Sequence, residues 1–207
     1  TFLSHDMGLG KSLISLSAGL YWLNKVPDWK IMVICPSFLR INWLNEFKKW
    51  SKYNEEHIQV IFKTKDVIDT NKKIVIVSYD LAVRKKDDFK KHKFNIVIVD
   101  EAHYLKNRKS KRTKALTAIL QRSNITYLLS GTPIVNCTAD LFTSLNILYP
   151  KTFYSFSPYA FRYCDMFKGI WGWDSSKSSN EVELSIILNH LMIRRLKKDV
   201  LTQLPSK

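Results

Sequence analysis

The chain has 207 residues, with 33 Lys plus Arg against 18 Asp plus Glu, for a formal net charge of +15. At roughly 150 residues per domain this is one domain, or one and a piece of another, and an apolar fraction of 45% with only six Gly and six Pro excludes disorder and low complexity. The three cysteines, Cys35, Cys137 and Cys164, are too few and too far apart for a disulfide framework or a zinc cluster, which fits a reducing, intracellular setting with no disulfide partner. No apolar run approaches the ~18 residues of a membrane span, so no membrane partner is expected, while the charge points to a polyanionic one.

In chain order, the glycine-bearing stretch Asp6–Ser12 leads into a helix expected over Lys11–Asn24. Ile31–Cys35 is a short run, apolar and β-branched, that ends at Pro36-Ser37. A helix follows over Arg40–Trp50, with Trp43, Phe47 and Trp50 as its core stripe. The same strand pattern recurs at Ile58–Phe62, Ile74–Ser78, Ile96–Asp100 and Ile125–Ser130, with a helix over Lys111–Arg122. Apolar on both faces, such strands suit a mainly parallel sheet covered by helices, an α/β fold. Ligands of open α/β sheets sit at the carboxyl ends of the strands, where Ser78, Asp100 and Ser130 fall. After Asn136 the pattern becomes aromatic and helical. Helices are expected over Asp140–Leu148, Tyr159–Phe167 and Glu181–Met192, with Gly169–Asn180 as a loop. Thirteen Lys and Arg against four acids fall between Leu81 and Arg122, either a solvated surface or a functional patch.

Three stretches carry chemistry. Asp6, Met7, Gly8, Leu9, Gly10, Lys11 and Ser12 contain the end of the phosphate-binding pattern G-x-x-x-x-G-K-S/T, with His5 at the position of its first glycine. Glycines let successive backbone N–H groups face anionic oxygens, and the start of a helix adds positive potential. Lys11 then reaches the β- and γ-phosphates, and the Ser12 hydroxyl holds Mg²⁺. Asp100 and Glu101 stand together at a strand end in Val99-Asp-Glu-Ala-His103. Two adjacent carboxylates there are costly unless they serve a cation or polar partners. Asp100 suits a Mg²⁺-linked acid and Glu101 the group that orients the attacking water, with His103 as a polar coupler. Leu128-Leu-Ser-Gly-Thr-Pro133 ends the next strand. Its Ser130, Gly131 and Thr132 either sense the phosphate state or form a plain strand exit.

In this order and spacing, the three stretches resemble the nucleic-acid-stimulated ATPases of helicase superfamily two. Asp6–Ser12, Asp100–Asn107 and Leu129–Asn136 are similar to the SWI/SNF-related DNA translocases within it. Phe161–Asp165, Trp171–Asp174, Ser178–Asn180 and Met192–Pro205 resemble its HARP-type annealing helicases, which rewind single-stranded gaps at forks. In the family Asp usually stands at His5 and Thr at Ser12; Ser12 retains the hydroxyl.

The resemblance implies a RecA-like P-loop NTPase lobe over residues 1–136 and a helical extension over 137–207, with ATP and Mg²⁺ as cofactors. It implies duplex or forked DNA, bound without sequence preference, as partner, and a nuclear location if the source is eukaryotic. It makes Pro36-Ser37 through Trp43, with Arg40 among them, and Glu46-Phe47 to Trp50 an element that tracks a DNA strand, Ser78-Tyr79 the next such element, and Arg194-Arg195 with Lys197-Lys198 a further contact or a solvated basic helix end. It gives Trp171 and Trp173 no chemistry. It also implies a second RecA-like lobe, beyond Lys207, that carries an arginine finger. Such a finger is worth ~10³–10⁵ in rate in GTPases, so slow turnover is expected of these residues alone. A non-catalytic nucleotide- and DNA-binding module, and an RNA helicase lobe, are the alternatives.

Overall fold

The computed structural model describes residues 1–131, 137–170 and 172–200. A seven-stranded sheet forms the centre, and every pairing in it is parallel. Its strands are β1 (Phe2–Leu3), β2 (Ile31–Cys35), β3 (Ile58–Val60), β4 (Ile74–Ser78), β5 (Ile96–Val99), β6 (Ile125–Leu129) and β9 (Met192–Ile193), in the spatial order β3-β4-β2-β5-β6-β1-β9. An antiparallel hairpin of β7 (Phe167–Gly169) and β8 (Gly172–Asp174) stands apart from it.

Parallel neighbours require crossovers, and helices supply most of them. They are α1 (Lys11–Lys25), α2 (Arg40–Trp50), α3 (Tyr79–Arg84), α4 (Lys86–Lys91), α5 (Lys111–Leu120), α6 (Leu141–Leu148), α7 (Phe156–Tyr163), α8 (Glu181–Leu191) and α9 (Lys197–Val200). Local chemistry sets their ends. Ser78 caps α3 and Ser110 caps α5, each hydroxyl accepting the N–H three residues on. Pro150 follows the end of α6.

Alternate residues of each inner strand serve opposite faces. Met32, Ile34, Val75, Val77, Val97 and Val99 join one apolar cluster, whereas Ile31, Val33, Ile74, Ile76, Ile96 and Ile98 join the other. The second cluster takes Leu16 of α1 and Trp43 and Phe47 of α2; the first takes Leu116 of α5. Leu141, Phe142, Leu145, Tyr159, Leu184 and Leu188 lie in the first cluster as well, so residues on both sides of position 136 share one core.

Several sequence expectations need correction. Trp50 does not continue the stripe of Trp43 and Phe47: it is exposed and its indole donates to Glu46 Oε2 at 2.9 Å. The helix expected at Tyr159–Phe167 lies earlier, over Phe156–Tyr163, and the loop expected at 169–180 begins as part of the β7–β8 hairpin. The extension is not purely helical, since its β9 enters the main sheet beside β1. Thr132, Trp171 and Leu201–Lys207 lie outside the described residues.

Ile98 is fully buried in the middle of the sheet. Ile98→Ala is expected to lower the unfolding free energy by roughly 2–5 kcal/mol, read from the midpoint shift in chemical denaturation.

Candidate active site

The carboxyl ends of β1, β5 and β6 meet at one edge of the sheet, and the glycine loop bridges them. Ser4 and His5 are buried as the chain leaves β1. Gly8 and Gly10 take positive φ values of 85° and 72°, open to glycine without strain, and nothing lies within 4 Å of a Cβ placed on Gly10. Neither an acidic side chain nor a side-chain cap occupies the first turn of α1. Its leading N–H groups and positive end therefore face the loop, the arrangement that suits a phosphate.

Lys11 lies folded over this loop, its Nζ donating to the carbonyls of His5 at 2.7 Å and Asp6 at 3.2 Å. Burial pulls the Lys11 ammonium below its ordinary value, whereas Glu101, Asp100 and Asp6 pull it back up. Three acids from two motifs thus act on one ammonium. Gly131, from the end of β6, is the third side of the site: a Cβ there would meet Met7 Cγ at 3.5 Å and Lys11 Nζ at 3.9 Å. Ser130 is buried, and its N–H donates to the Leu3 carbonyl at 3.0 Å. Thr132 lies outside the described residues.

Asp100 is 7% exposed, and burial raises its carboxyl above the usual carboxylate range. Two donors oppose that rise by binding the ionised form: the Trp43 indole N–H to Oδ2 at 2.9 Å and the Glu101 N–H to Oδ1 at 3.0 Å. Lys11 and His103 act in the same sense through charge. Glu101 itself stands in the left-handed region, φ 54° and ψ 53°, at a cost of order 1–3 kcal/mol for a residue with a Cβ. The Tyr79 hydroxyl donates to the carbonyls of both Asp100, at 2.7 Å, and Glu101, at 3.1 Å. The Glu101 carboxylate meets His103 Nδ1 at 3.1 Å. His103 stacks on Tyr104, and Tyr104 on Tyr79, at centroid distances of 4.9 and 5.3 Å.

The donor set fits a nucleotide with its metal. A hydroxyl (Ser12, half-buried in the first turn of α1) and a carboxylate (Asp100) are hard oxygen ligands of the kind Mg²⁺ uses together with phosphate oxygens. His5, at the place of the pattern's first glycine, lies beneath the loop. Its ring is held below the ordinary histidine value by burial first, then by the charges of Arg195 and Lys11.

The residues expected to meet DNA divide. Pro36 is buried, Ser37 is exposed, and Arg40 holds the carbonyls of Ser37 at 3.0 Å and Ile61 at 2.7 Å. Ser78 and Tyr79 are corrections: both side chains are buried, the first capping α3 and the second supporting the Asp100–Glu101 backbone, so neither hydroxyl faces outward. Arg194 and Arg195 are exposed, on the irregular segment between β9 and α9, beside the glycine loop. There the Arg195 carbonyl accepts the Asp6 N–H at 3.0 Å, and the Lys197 N–H donates to Asp6 Oδ2 at 2.9 Å. The sequence marked Lys197 only as part of a basic element and Trp43 by spacing only as core; it did not show the Lys197 bond to Asp6, the Trp43 donor or the Tyr79 support. Of the basic run, Lys85 and Lys91 lie against Asp88, Lys90 against Asp87, and Arg112 against Asp80.

A sequence model of the SNF2-related domain matches residues 1–207. The SWI/SNF-related matrix-associated actin-dependent regulator of chromatin subfamily A-like protein 1 of Xenopus laevis is 39% identical over 207 residues, covering 99% of this chain and 21% of that protein. The DNA annealing helicase and endonuclease ZRANB3 of Homo sapiens is 35% identical over 212 residues, covering 98% of this chain and 19% of that protein. The Sulfolobus solfataricus SWI2/SNF2 ATPase core, solved in complex with dsDNA, superposes with a TM-score of 0.80 at 26% identity, covering 99% of this chain and 42% of that one. The chain therefore spans about a fifth of the length of these curated relatives.

Trp43→Phe keeps the ring in the core but removes the donor that favours ionised Asp100. The Asp100 carboxyl is expected to titrate higher still in this variant, a shift that carboxyl-selective NMR titration reads directly.

Proposed function

The chain belongs to the SNF2-related domain family, and we propose that it is the ATP-binding lobe of a DNA-dependent motor that moves along duplex DNA and remodels it, annealing at forks or gaps among its tasks. The observation that carries this reading is the convergence of Lys11, the Asp100–Glu101 pair and Gly131 on one glycine loop.

In this reading the N–H groups of residues 8–12 bind the phosphates, and Lys11 exchanges its two carbonyl partners for β- and γ-phosphate oxygens. Ser12 and Asp100 would hold Mg²⁺, which would supply charge neutralisation for the transferred phosphoryl group. Trp43 and the Glu101 N–H favour the ionised form of Asp100 and fix its orientation. Glu101 orients the attacking water, its carboxylate positioned by His103 and its backbone by Tyr79. Ser130, Gly131 and Thr132 report the state of the phosphates to the rest of the lobe. Ser37 and Arg40, at the end of β2, with Arg194 and Arg195, contact the DNA backbone, which carries no sequence information. The partner in hydrolysis is a second RecA-like lobe. We assign residues 1–136 to the ATP-binding lobe proper and 137–207 to its extension, and in a eukaryote the setting is nuclear.

The test is ATP hydrolysis by the full-length protein with and without forked DNA. DNA is expected to stimulate the wild type, whereas Lys11→Ala and Glu101→Gln each lower the stimulated rate by at least ~10²-fold. Glu101→Gln is expected to retain nucleotide binding. A wild type that ignores DNA sinks the motor reading, and stimulation by RNA alone supports the RNA helicase.

A further inference from the structure

A second chemical surface lies away from the nucleotide loop. Between the segment Lys106–Lys109 and the β7–β8 hairpin is an open groove of about 620 Å³, lined by Lys106, Arg108, Lys109, Phe156, Phe161 and Trp173 among others. Two of the aromatic side chains lie outside the core, whereas Phe156 is half-buried, packs against it and meets Phe142 edge-on at 5.2 Å. Trp173 is 62% exposed and Phe161 55%, while Ile170 at the hairpin turn is 96% exposed. Phe161 meets Trp173 edge-on at 5.6 Å and 86°, which steadies the indole from one side and leaves most of its area to solvent. The Arg108 guanidinium lies 3.7 Å from the Phe156 ring centroid. The backbone of the rim is tied to α6, where the Thr143 hydroxyl donates to the Lys106 carbonyl at 3.3 Å.

An exposed apolar cluster marks an interaction site, and the charge around it selects the partner. Three cations line the groove against one carboxylate, Asp140. The nearby Asp165 faces Lys177 at 3.7 Å, and Asp174 accepts the Ser176 N–H at 2.9 Å. A cationic rim around aromatic platforms suits a nucleic-acid strand. In a duplex the base faces are stacked on one another, so only an unpaired base offers its face to an indole.

We propose that this groove binds an unpaired stretch of DNA, with a base stacked on Trp173 and the flanking phosphates on Lys109 and Arg108. The choice of DNA rests on the motor reading above; the preference for unpaired strand rests on the groove itself.

Fluorescence anisotropy of the full-length protein with a labelled oligothymidylate, and with a blunt duplex of equal length, tests it. Trp173→Ala is expected to weaken oligothymidylate binding by roughly tenfold, with duplex affinity and duplex-stimulated ATP hydrolysis unchanged. Trp173→Phe retains most of the affinity. Lys109→Ala weakens single-strand binding and flattens its salt dependence. In the unmodified protein, photo-crosslinking to a bromodeoxyuridine-substituted strand is expected to label the peptide that holds Trp173, a readout independent of any variant's folding. Single-strand binding unmoved by Trp173→Ala, an equal loss for duplex, or labelling confined to other peptides overturns the proposal. Failure of the motor reading shows elsewhere, as a wild type that does not respond to duplex.

Discussion

One constraint organises this molecule: every pairing in the main sheet is parallel. Parallel strands deliver all their carboxyl ends to the same edge, and helices cover both faces. The strand interiors have no choice but to be apolar on both sides, as the split of β2, β4 and β5 between two clusters shows. Polar chemistry is pushed to the ends. Ser4–His5, Pro36-Ser37, Ser78, Asp100 and Ser130 are the first residues after, or the last residues of, successive strands. The site is therefore a consequence of topology before it is a consequence of any single side chain.

Within that edge, Asp100 and Glu101 are held against their own preferences. Burial disfavours the Asp100 carboxylate, and its folded value stays above the ordinary one despite two hydrogen-bond donors. The sign follows: this group's contribution to stability is fully present below the ordinary carboxylate value and is lost as pH rises through the higher folded value. Burial makes the ionised form of this acid a burden on the fold, which the Trp43 indole and the Glu101 N–H lessen. The backbone of Glu101 is strained as well, and the Tyr79 hydroxyl, bonded to both carbonyls, opposes its relaxation. A core tryptophan and a core tyrosine thus hold the acids that face the nucleotide loop, which is why the polar atoms of these two rings point to the same short segment.

What could be read from the sequence follows from which residues have a single physical option. Runs such as Ile31–Cys35 and Ile74–Ser78, and the helix Arg40–Trp50, match the structure to the residue because burial on both faces, or on one stripe, leaves no other state. The glycine loop and the acidic pair were recognisable because each carries chemistry that a passive turn does not need. The misses are places where context overrides type. Ser78 and Tyr79 carry hydroxyls at a strand end, yet α3 starts at once at Tyr79, so Ser78 becomes its cap and Tyr79 turns inward. Trp50 continues the stripe of Trp43 and Phe47 in spacing but lies at the last turn, past the end of the core. The hairpin has three-residue strands with a glycine at each side of its turn, one at φ 115°, a composition that also spells loop. In β9, two residues at the end of an apolar helix pattern carry no period of their own.

That short strand changes the standing of the extension. β1 is fixed from both sides: Phe2 and Leu3 pair with Leu128 and Leu129 on one flank and with Met192 and Ile193 on the other. The clamp continues past the strands. Ser130 N–H donates to Leu3, Ser4 N–H to Ile193 and Asp6 N–H to Arg195, each at 2.9 to 3.0 Å, and Lys197 N–H closes on the Asp6 carboxylate. The glycine loop thus hangs between the segment that ends in Gly131 and the segment that leaves the extension. Residues 193–197 cannot move without breaking these hydrogen bonds or dragging Ser4 and Asp6 with them, and Asp6 is the residue whose carbonyl holds Lys11. Motion of residues 193–197 and the position of the phosphate-facing lysine are, in this fold, one mechanical problem.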